Sequence, residues 1–536
     1  MKINKITILN ILFILSVPFT TLLLCGKYEM KLTFIVAILS FISGVFIATK
    51  VFKKDFYKNM NRKYLLIAIL FSMYQTGLLM NYSTQGILLF KTVIQTLFKI
   101  TLSFELALHI VSALSLFSII SITYYLLTKI IPLVQNEYKK TTKNEKYFIL
   151  IITLLALIST TFIYNVTTVF NEPKYNGRTI LYDVIYTSDS GAITKENAYL
   201  NVGMPENDIR QPIFGVLAMP FATFANLLSS FVKFIPNTYA VVFNTIQIIL
   251  IALALILITR MMQLSEKQKI AFWILSFSCY SFMLFSFVQE QYVFAFFYLI
   301  LAIYVGYYHI SKINYFYIAA VGSLLTSGII FPLITKFKNI KSWIYNVFKC
   351  FIAFLLTCIL SGQILQFATT FEQIEKISNW SGKDVLFIDR INQFSNFIQS
   401  IFIAPSSNIV INKQIPCFWL KEVTTVNIFG IIILILCIIS FIINRKNKIL
   451  KISFLWVLFS ILLLCIMGWG SQENGMILYS LYFAWAYIVL LYSLFNKIIK
   501  NVKLKTIFLF LVCLVFFSIN LSTMLNIIAF GINYYG

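Results

Sequence analysis

Apolar residues in this chain run in long blocks separated by short polar links, without the 2-residue alternation of a half-buried strand or the one-sided stripe of a soluble helix. A helix needs about 17–25 apolar residues to cross a bilayer. On that measure the pattern predicts spans at 6–25, 32–50, 64–80, 105–128, 147–165, 239–259, 270–288, 291–309, 346–366, 425–444, 450–468, 475–496 and 505–530. Two further apolar segments, 213–233 and 314–335, carry helix breakers at mid-length: Pro220 in the first, and Thr326, Ser327, Gly328 and Pro332 in the second. If both crossed fully, the alternation of sides would fail. Re-entrant or interfacial helices restore it, as does a misplaced span boundary. The fold class is therefore all-α, a polytopic integral membrane protein of about 13 transmembrane helices with re-entrant or interfacial segments and two larger extracytoplasmic loops.

Composition agrees and narrows the class. The 536 residues are 60% hydrophobic and only 12% charged, about half the charged share of a soluble domain, so soluble enzymes and disordered scaffolds are excluded. The net charge of +24 does not indicate nucleic acid, because its lysines sit in the links between apolar blocks. The links at 50–63, 135–146, 260–269, 444–451 and 497–505 are basic and are assigned to the cytoplasm, which puts Met1 inside and the 166–211 and 367–424 loops outside. The Lys-, Ile- and Asn-rich composition suits a bacterial plasma membrane. The first 25 residues imitate a signal peptide but lack its cleavage site, and are read as a retained helix. The scattered cysteines form neither a disulfide framework nor a zinc site.

The chain divides into 1–145, a leading block of about four helices; 146–366, a core that carries the 166–211 loop; 367–424, the second loop; and 425–536, the C-terminal helices. In the leading block, Glu105 and His109 are placed to pair with each other.

Acidic residues are scarce, so their positions carry information. Six of the 19 lie in the first loop: Glu172, Asp183, Asp189, Glu196, Glu206 and Asp208. A loop of this length without secondary structure of its own is usually functional, although any loop outside the membrane is also polar. Arg62, Arg260 and Arg445 fall in basic links, where orientation explains them. Arg178, Arg210 and Arg390 fall outside, where orientation does not ask for them, and a guanidinium there suits a phosphate or carboxylate. Asp208 and Arg210 could equally form a local ion pair. Glu290, flanked by hydrocarbon, is either paired in a cavity or snorkelling at the interface. The link from Gly468 to Gly475 carries Gln472, Glu473 and Asn474, which either line the same cavity or make the turn. In the second loop, Trp380 and Trp419 suit either sugar stacking or the aromatic belt of a membrane interface, and the belt is favoured for Trp419.

Taken together, these motifs are similar to the C-type (GT-C) membrane glycosyltransferases over roughly residues 146–340. That family shows a span, an outer loop with a catalytic Asp or Glu, and a proline-rich apolar lead-in to the next helix. Here the span is 147–165, the acid is Asp189 in Ser188-Asp189-Ser190-Gly191, and the lead-in is RQPIFGVLAMPF from Arg210. Glu290 before YVFAFFYLILAIY stands where a second acid is expected, and AAVGSLLTSGIIFPL from Ala319 resembles the glycine-rich helix that follows. The chain departs from the pattern in its four leading spans, in Asp189-Ser190 where an Asp-Glu doublet is common, and in Gln211-Pro212 where two prolines are usual.

The resemblance implies an inverting transfer of a sugar from a polyprenyl-phosphate donor to a glycan, lipid or protein acceptor. Asp189 and Asp183 are the catalytic candidates. Arg210, Gln211, Asp208, Glu290, Arg178 and Glu473 are the substrate-binding candidates. No cofactor is required, and no ligand spacing supports the divalent metal that some relatives bind. Membrane lipid is the surrounding partner. The alternative from another class is a multi-pass transporter or a lipid or glycan flippase. That reading lacks its usual signatures, inverted repeats and charges at mid-span.

Overall fold

The computed structural model describes residues 5–25, 30–52, 56–58, 60–195, 199, 210–232, 237–308, 313–329, 340–364, 381–382, 384–472 and 474–536. The leading block comprises α1 (Lys5–Leu24), α2 (Met30–Phe46, continued by a π-turn to Val51), α3 (Arg62–Leu79), α4 (Gln85–Phe98) and α5 (Phe104–Lys139). The core follows with α6 (Lys143–Val166), α7 (Ser190–Lys195), α8 (Phe214–Phe231), α9 (Thr238–Met261), α10 (Glu266–Ser278), α11 (Tyr280–Phe285), α12 (Tyr292–Tyr308), α13 (Ile313–Ser323) and α14 (Ile340–Leu360). The remainder is α15 (Phe387–Phe402), α16 (Ile428–Asn444), α17 (Lys448–Ser460, extended by a π-turn to Ile466), α18 (Ser480–Ile498, led by a 3-10 turn from Gly475) and α19 (Val502–Tyr535).

Ten of these helices are long and apolar enough to cross a membrane. Their surfaces are inverted relative to a soluble protein. Along α6, Leu150, Ile151, Leu154, Ile158 and Phe162 are exposed while Ala156 and Thr160 are buried. Along α2 the buried positions are Thr33, Val36, Ser40, Ser43 and Gly44, small residues that let backbones approach closely where lipid supplies no hydrophobic drive between helices. The centre of the molecule is α18, 89% buried across its apolar window against 22% for the peripheral α19.

Helix starts at the basic links are set by local capping. Asn61, Asn447 and Asn501 accept backbone N–H groups, and Thr142 with Glu145 forms a capping box. The basic links collect at one end, called here the basic face, and the long loops collect at the other, the loop face. Arg260, by its place in a basic link expected only to orient the chain, does more. It pairs with the fully buried Glu145 (2.6 Å) and with Glu137 (3.1 Å), while Lys269 pairs with Glu145 (2.9 Å) and Glu266 (2.7 Å). Tyr304 on α12 donates to Glu137 at 2.7 Å, so one network ties α5, α6, α9, α10 and α12 together.

The interrupted segments resolve differently from each other. Pro220 does not break α8; Tyr298 Oη donates to the Leu217 carbonyl at 3.1 Å, beside the proline, where the helix ladder is weakened. Both ends of α8 are nonetheless fixed at the loop face. Its N-terminal side is anchored by Ile213 N–H on Gly322 O (3.1 Å), with Arg210 close by Tyr292 and Tyr479 at the tops of α12 and α18. At its other end Val232 O accepts from Thr238 at the start of α9 (2.9 Å). The two ends of the helix are thus tied to α13 and to the start of α9. The break after α13 is real: a 3-10 turn at Leu325–Ile329 follows, with Ser327 Oγ 2.7 Å from Tyr482 Oη and Tyr317 Oη donating to Gly328 O (3.1 Å).

The second loop is more ordered than its sequence foretold. It holds α15 and a hairpin of β3 (Ser407–Asn412) and β4 (Ile415–Leu420), turned through Lys413 and Gln414, both at positive φ. Asn520, halfway along α19 and fully buried, holds three backbone groups at once. Its Nδ2 donates to Ser278 O (2.7 Å) at the α10–α11 break and to Phe402 O (2.8 Å), and its Oδ1 accepts Ala404 N–H (2.8 Å). His109 bonds the backbone carbonyl of Glu105 (2.7 Å) rather than its carboxylate, which corrects the expected side-chain pair. Replacing Asn520 by Leu strands three buried polar groups, each costing about 1–3 kcal/mol. Asn520→Leu should therefore unfold in detergent at a clearly lower temperature than wild type, with a loss of ~3 kcal/mol or more. A variant as stable as wild type would sink this assignment.

Candidate functional site

The site begins at the polar run Gln289-Glu290-Gln291 between α11 and α12. All three side chains are buried, where a strand of hydrocarbon-facing sequence would leave them without water. Their backbone is held by amides and hydroxyls from neighbouring helices: Asn244 donates to Ser286 O (2.8 Å), Gln247 to Glu290 O (2.9 Å) and Tyr164 to Phe287 O (2.7 Å). Gln289 Nε2 reaches Ala240 O (2.9 Å), and its Oε1 accepts Thr194 Oγ1 on α7 (3.0 Å). Much of the non-helical backbone between α11 and α12 is thus bonded within the protein, Gln289 N–H to Phe170 O (3.1 Å) included.

Onto this run the first loop lays α7. Asp189 immediately precedes that helix, and its backbone N–H donates to Glu290 Oε1 at 2.7 Å. Gly191 permits the approach, because a Cβ there would lie 1.9 Å from Ile180 O. Ala192 N–H on Leu181 O (2.9 Å) fixes the same contact. The Glu290 carboxyl is buried and faces the Asp189 carboxylate, and both effects, burial first, hold its pKa well above the usual carboxylate range. The Gln291 N–H is also close to this carboxyl, but Oε2 finds no partner at hydrogen-bond geometry. Asp189 is half-buried.

Arg210 joins from the other side. Its carbonyl accepts Leu325 N–H (2.7 Å) at the break after α13, and its charge acts on the phenols of Tyr292 and Tyr479. Those two rings meet edge to face with centroids 5.2 Å apart. Tyr479 also feels Asp189, and Tyr292 feels Glu290, so Asp189, Glu290 and Arg210 all act on one tyrosine pair. Gln211 beside Arg210 is buried with Oε1 unpartnered, and Thr187, Ser188 and Gln291 likewise present buried oxygens without partners. Buried polar atoms are paired in the great majority of cases, so these oxygens, like others elsewhere in the molecule, are open to water or to another molecule's polar groups.

Among the sequence-predicted residues, Asp189, Glu290, Arg210 and Gln211 therefore come together. Asp183, at positive φ, donates its backbone N–H to Ser188 O (2.9 Å), one residue before Asp189, while its carbonyl accepts the Trp419 indole N–H (2.8 Å) and its charge acts on Cys417 in β4. That bond also gives Trp419 a partner inside the protein. It accompanies the pairing of Val184 and Tyr186 with Phe418, which joins the two loops (2.8 and 2.7 Å). Arg178 is exposed on the small hairpin of Lys174–Tyr175 and Arg178–Thr179. Arg390 turns to the carbonyls of Gly382, Val385 and Ile466 (2.7, 3.1 and 3.2 Å), a structural tie rather than an anion site. Asp208, Glu473, Glu196, Glu206 and Trp380 lie outside the described residues. Sequence reasoning missed Asn244, Gln247, Gln289 and Gln291; three adjacent polar residues between two apolar blocks were the signal. Among the described residues, no three His, Cys, Asp or Glu side chains gather to hold a metal ion.

Two outcomes follow. Gly191→Ala must displace backbone, and is expected to cost about 1–3 kcal/mol and to move Asp189 off Glu290; unchanged thermal stability would contradict the close approach. A raised carboxyl pKa means the folded state binds the proton more tightly than the unfolded chain. Stability from Glu290 is therefore complete below the ordinary carboxylate pKa and is lost as pH rises through the elevated folded value. Glu290→Gln keeps the Oε1 acceptor and should flatten that decline in a pH series of melting temperatures. An identical slope in both proteins would refute the shift.

No family model, curated protein or solved structure matches this chain, so what bears on its function is the chemistry that Asp189, Glu290 and Arg210 can perform together.

Proposed function

We propose that the protein is a membrane glycosyltransferase that moves a sugar from a polyprenyl-phosphate donor to a glycan, lipid or protein acceptor on the outer side of the membrane. The basic face is then cytoplasmic and the loop face outer, in line with the positive-inside rule. The observation that supports this reading most is the carboxyl pair at the loop face, one member buried and one half-exposed, with an arginine alongside.

Burial raises the pKa of the Glu290 carboxyl, and a carboxyl so raised beside a second one divides the work with it. Glu290 retains its proton, which leaves Asp189 ionised and available as a base, and the bond from Asp189 N–H to Glu290 Oε1 fixes where that base stands. Asp189 takes the proton of an acceptor hydroxyl as its oxygen attacks the anomeric carbon. The bond from that carbon to the phosphate oxygen breaks, its electron pair leaves with polyprenyl phosphate, and the configuration inverts. Arg210 stabilises the charge gathering on the departing phosphate. A lipid-borne donor reaches this site within the bilayer, where α8 and α12 meet the loop face.

Protein reconstituted in lipid and supplied with a panel of polyprenyl-phosphate sugars should release free polyprenyl phosphate and form a glycosylated product. Asp189→Asn should lower that rate by about 10²–10⁴-fold, the usual share of a general base, while its melting temperature stays near wild type. Donor left intact across the panel would favour the transporter or flippase reading. A large loss of stability in Asp189→Asn would make the residue structural.

A further inference from the structure

A second polar concavity lies at the end of the molecule opposite Glu290. A cavity of about 320 Å³ opens on the basic face, where the α9–α10 link, the α16–α17 link and the last turn of α18 meet. At roughly 30 Å³ per water-sized group, it holds about ten such groups. Its polar lining is mainly amide, from Gln268, Asn444, Asn447 and Asn496, together with Lys497.

Helix capping decides how these amides face. Asn447 Oδ1 accepts Ile449 N–H (3.0 Å) at the start of α17, and Gln268 Oε1 accepts Ser265 N–H (3.0 Å) at the start of α10. A backbone N–H only donates, so the oxygen side of each amide is fixed by its cap. Asn447 Nδ2 and Gln268 Nε2 are left as donors without a hydrogen bond among the described residues. Lys497 Nζ uses one N–H on Ile443 O (3.1 Å) and retains two more. On the acceptor side, Asn444 Nδ2 is taken by Ser440 O (3.0 Å), which leaves its Oδ1, and Asn496 Oδ1 is buried with no partner.

The cavity thus offers amide donors and a cation together with two carbonyl acceptors. Donors beside an ammonium match phosphate oxygens, and carbonyl oxygens match hydroxyl groups. We infer that this cavity binds the phosphate ester of a small polyol at the basic face. Two sources carry that chemistry: the glycerophosphate headgroup of an anionic phospholipid and a soluble polyol phosphate. The neighbouring Ile498 and Val502 are exposed apolar residues, as the mouth of a lipid-facing site requires.

The test uses the full chain, purified in detergent and stripped of lipid. Dioleoyl phosphatidylglycerol is titrated by native mass spectrometry, with dioleoyl phosphatidylcholine as the neutral comparison. Soluble sn-glycerol 3-phosphate is titrated by calorimetry. Gln268→Glu and Asn447→Asp each keep the capping oxygen, so the fold is preserved, yet each loses a donor and adds a negative charge inside the cavity. Lys63→Ala makes the same change in net charge elsewhere on the basic face. Binding of phosphatidylglycerol that falls about tenfold or more in both cavity variants, but not in Lys63→Ala, supports the inference and names a lipid headgroup. The same pattern with sn-glycerol 3-phosphate alone supports it and names a soluble ester. Absence of binding by either probe, cavity variants that bind like wild type, or an equal loss in Lys63→Ala would each overturn it.

Discussion

A chain surrounded by hydrocarbon must satisfy its backbone polar groups from within, and the architecture follows from that constraint. Where helices run unbroken the ladder suffices. Where they break, a specific side chain arrives. Asn520 closes the α10–α11 break and the end of α15, and Tyr482 and Tyr317 attend the turn after α13. The run from Ser286 to Glu290 is held by Asn244, Gln247 and Tyr164 in the same way. Unpartnered buried oxygens remain in several places, such as Thr76, Asn171 and Ser480, and those of Thr187, Ser188, Gln211, Glu290 and Gln291 fall in the segments that carry Asp189, Arg210 and Glu290. The chemistry proposed for the protein rests on those three charged side chains.

Charges obey the same constraint. Glu145 is fully buried, yet two cations meet it, and the network extends through Glu137, Glu266 and Tyr304 until each charge has a partner. Removing any one member would leave the others uncompensated, so such a network fixes how helices meet rather than adding much net stability. At the loop face Glu290 meets the Asp189 carboxylate instead of a cation, and burial, with that neighbouring charge, raises its pKa well above the usual carboxylate range. One end of the molecule is thus electrostatically closed and the other is poised.

Much of the fold was legible because hydropathy is local. A block of apolar residues needs no distant partner to become a helix, and the caps at Asn61, Thr142, Asn447 and Asn501 lie where the sequence turns polar. The amphipathic α4 and α15 were less legible, since a helix lying along an interface mixes polar and apolar residues much as a loop does. The hairpin at 407–420 was hidden for a related reason: its turn places Lys413 and Gln414, neither a usual turn residue, at positive φ. In the candidate site, Asp189, Arg210 and Glu290 were legible as charges that membrane topology does not call for. Arg390 satisfied the same criterion and is taken up by the carbonyls of Gly382, Val385 and Ile466.

The sequence by itself determined the solvent and the helical class, because transfer of apolar residues into lipid is summed along the chain and depends little on neighbours. Only the tertiary structure decided which charged residues share a site. Asp189 and Glu290 are 101 residues apart, and their contact depends on Gly191 passing Ile180 and on the amides of α9 holding the 286–290 run. Direction and partner of a side chain are set by contacts among distant segments, and no local pattern encodes them.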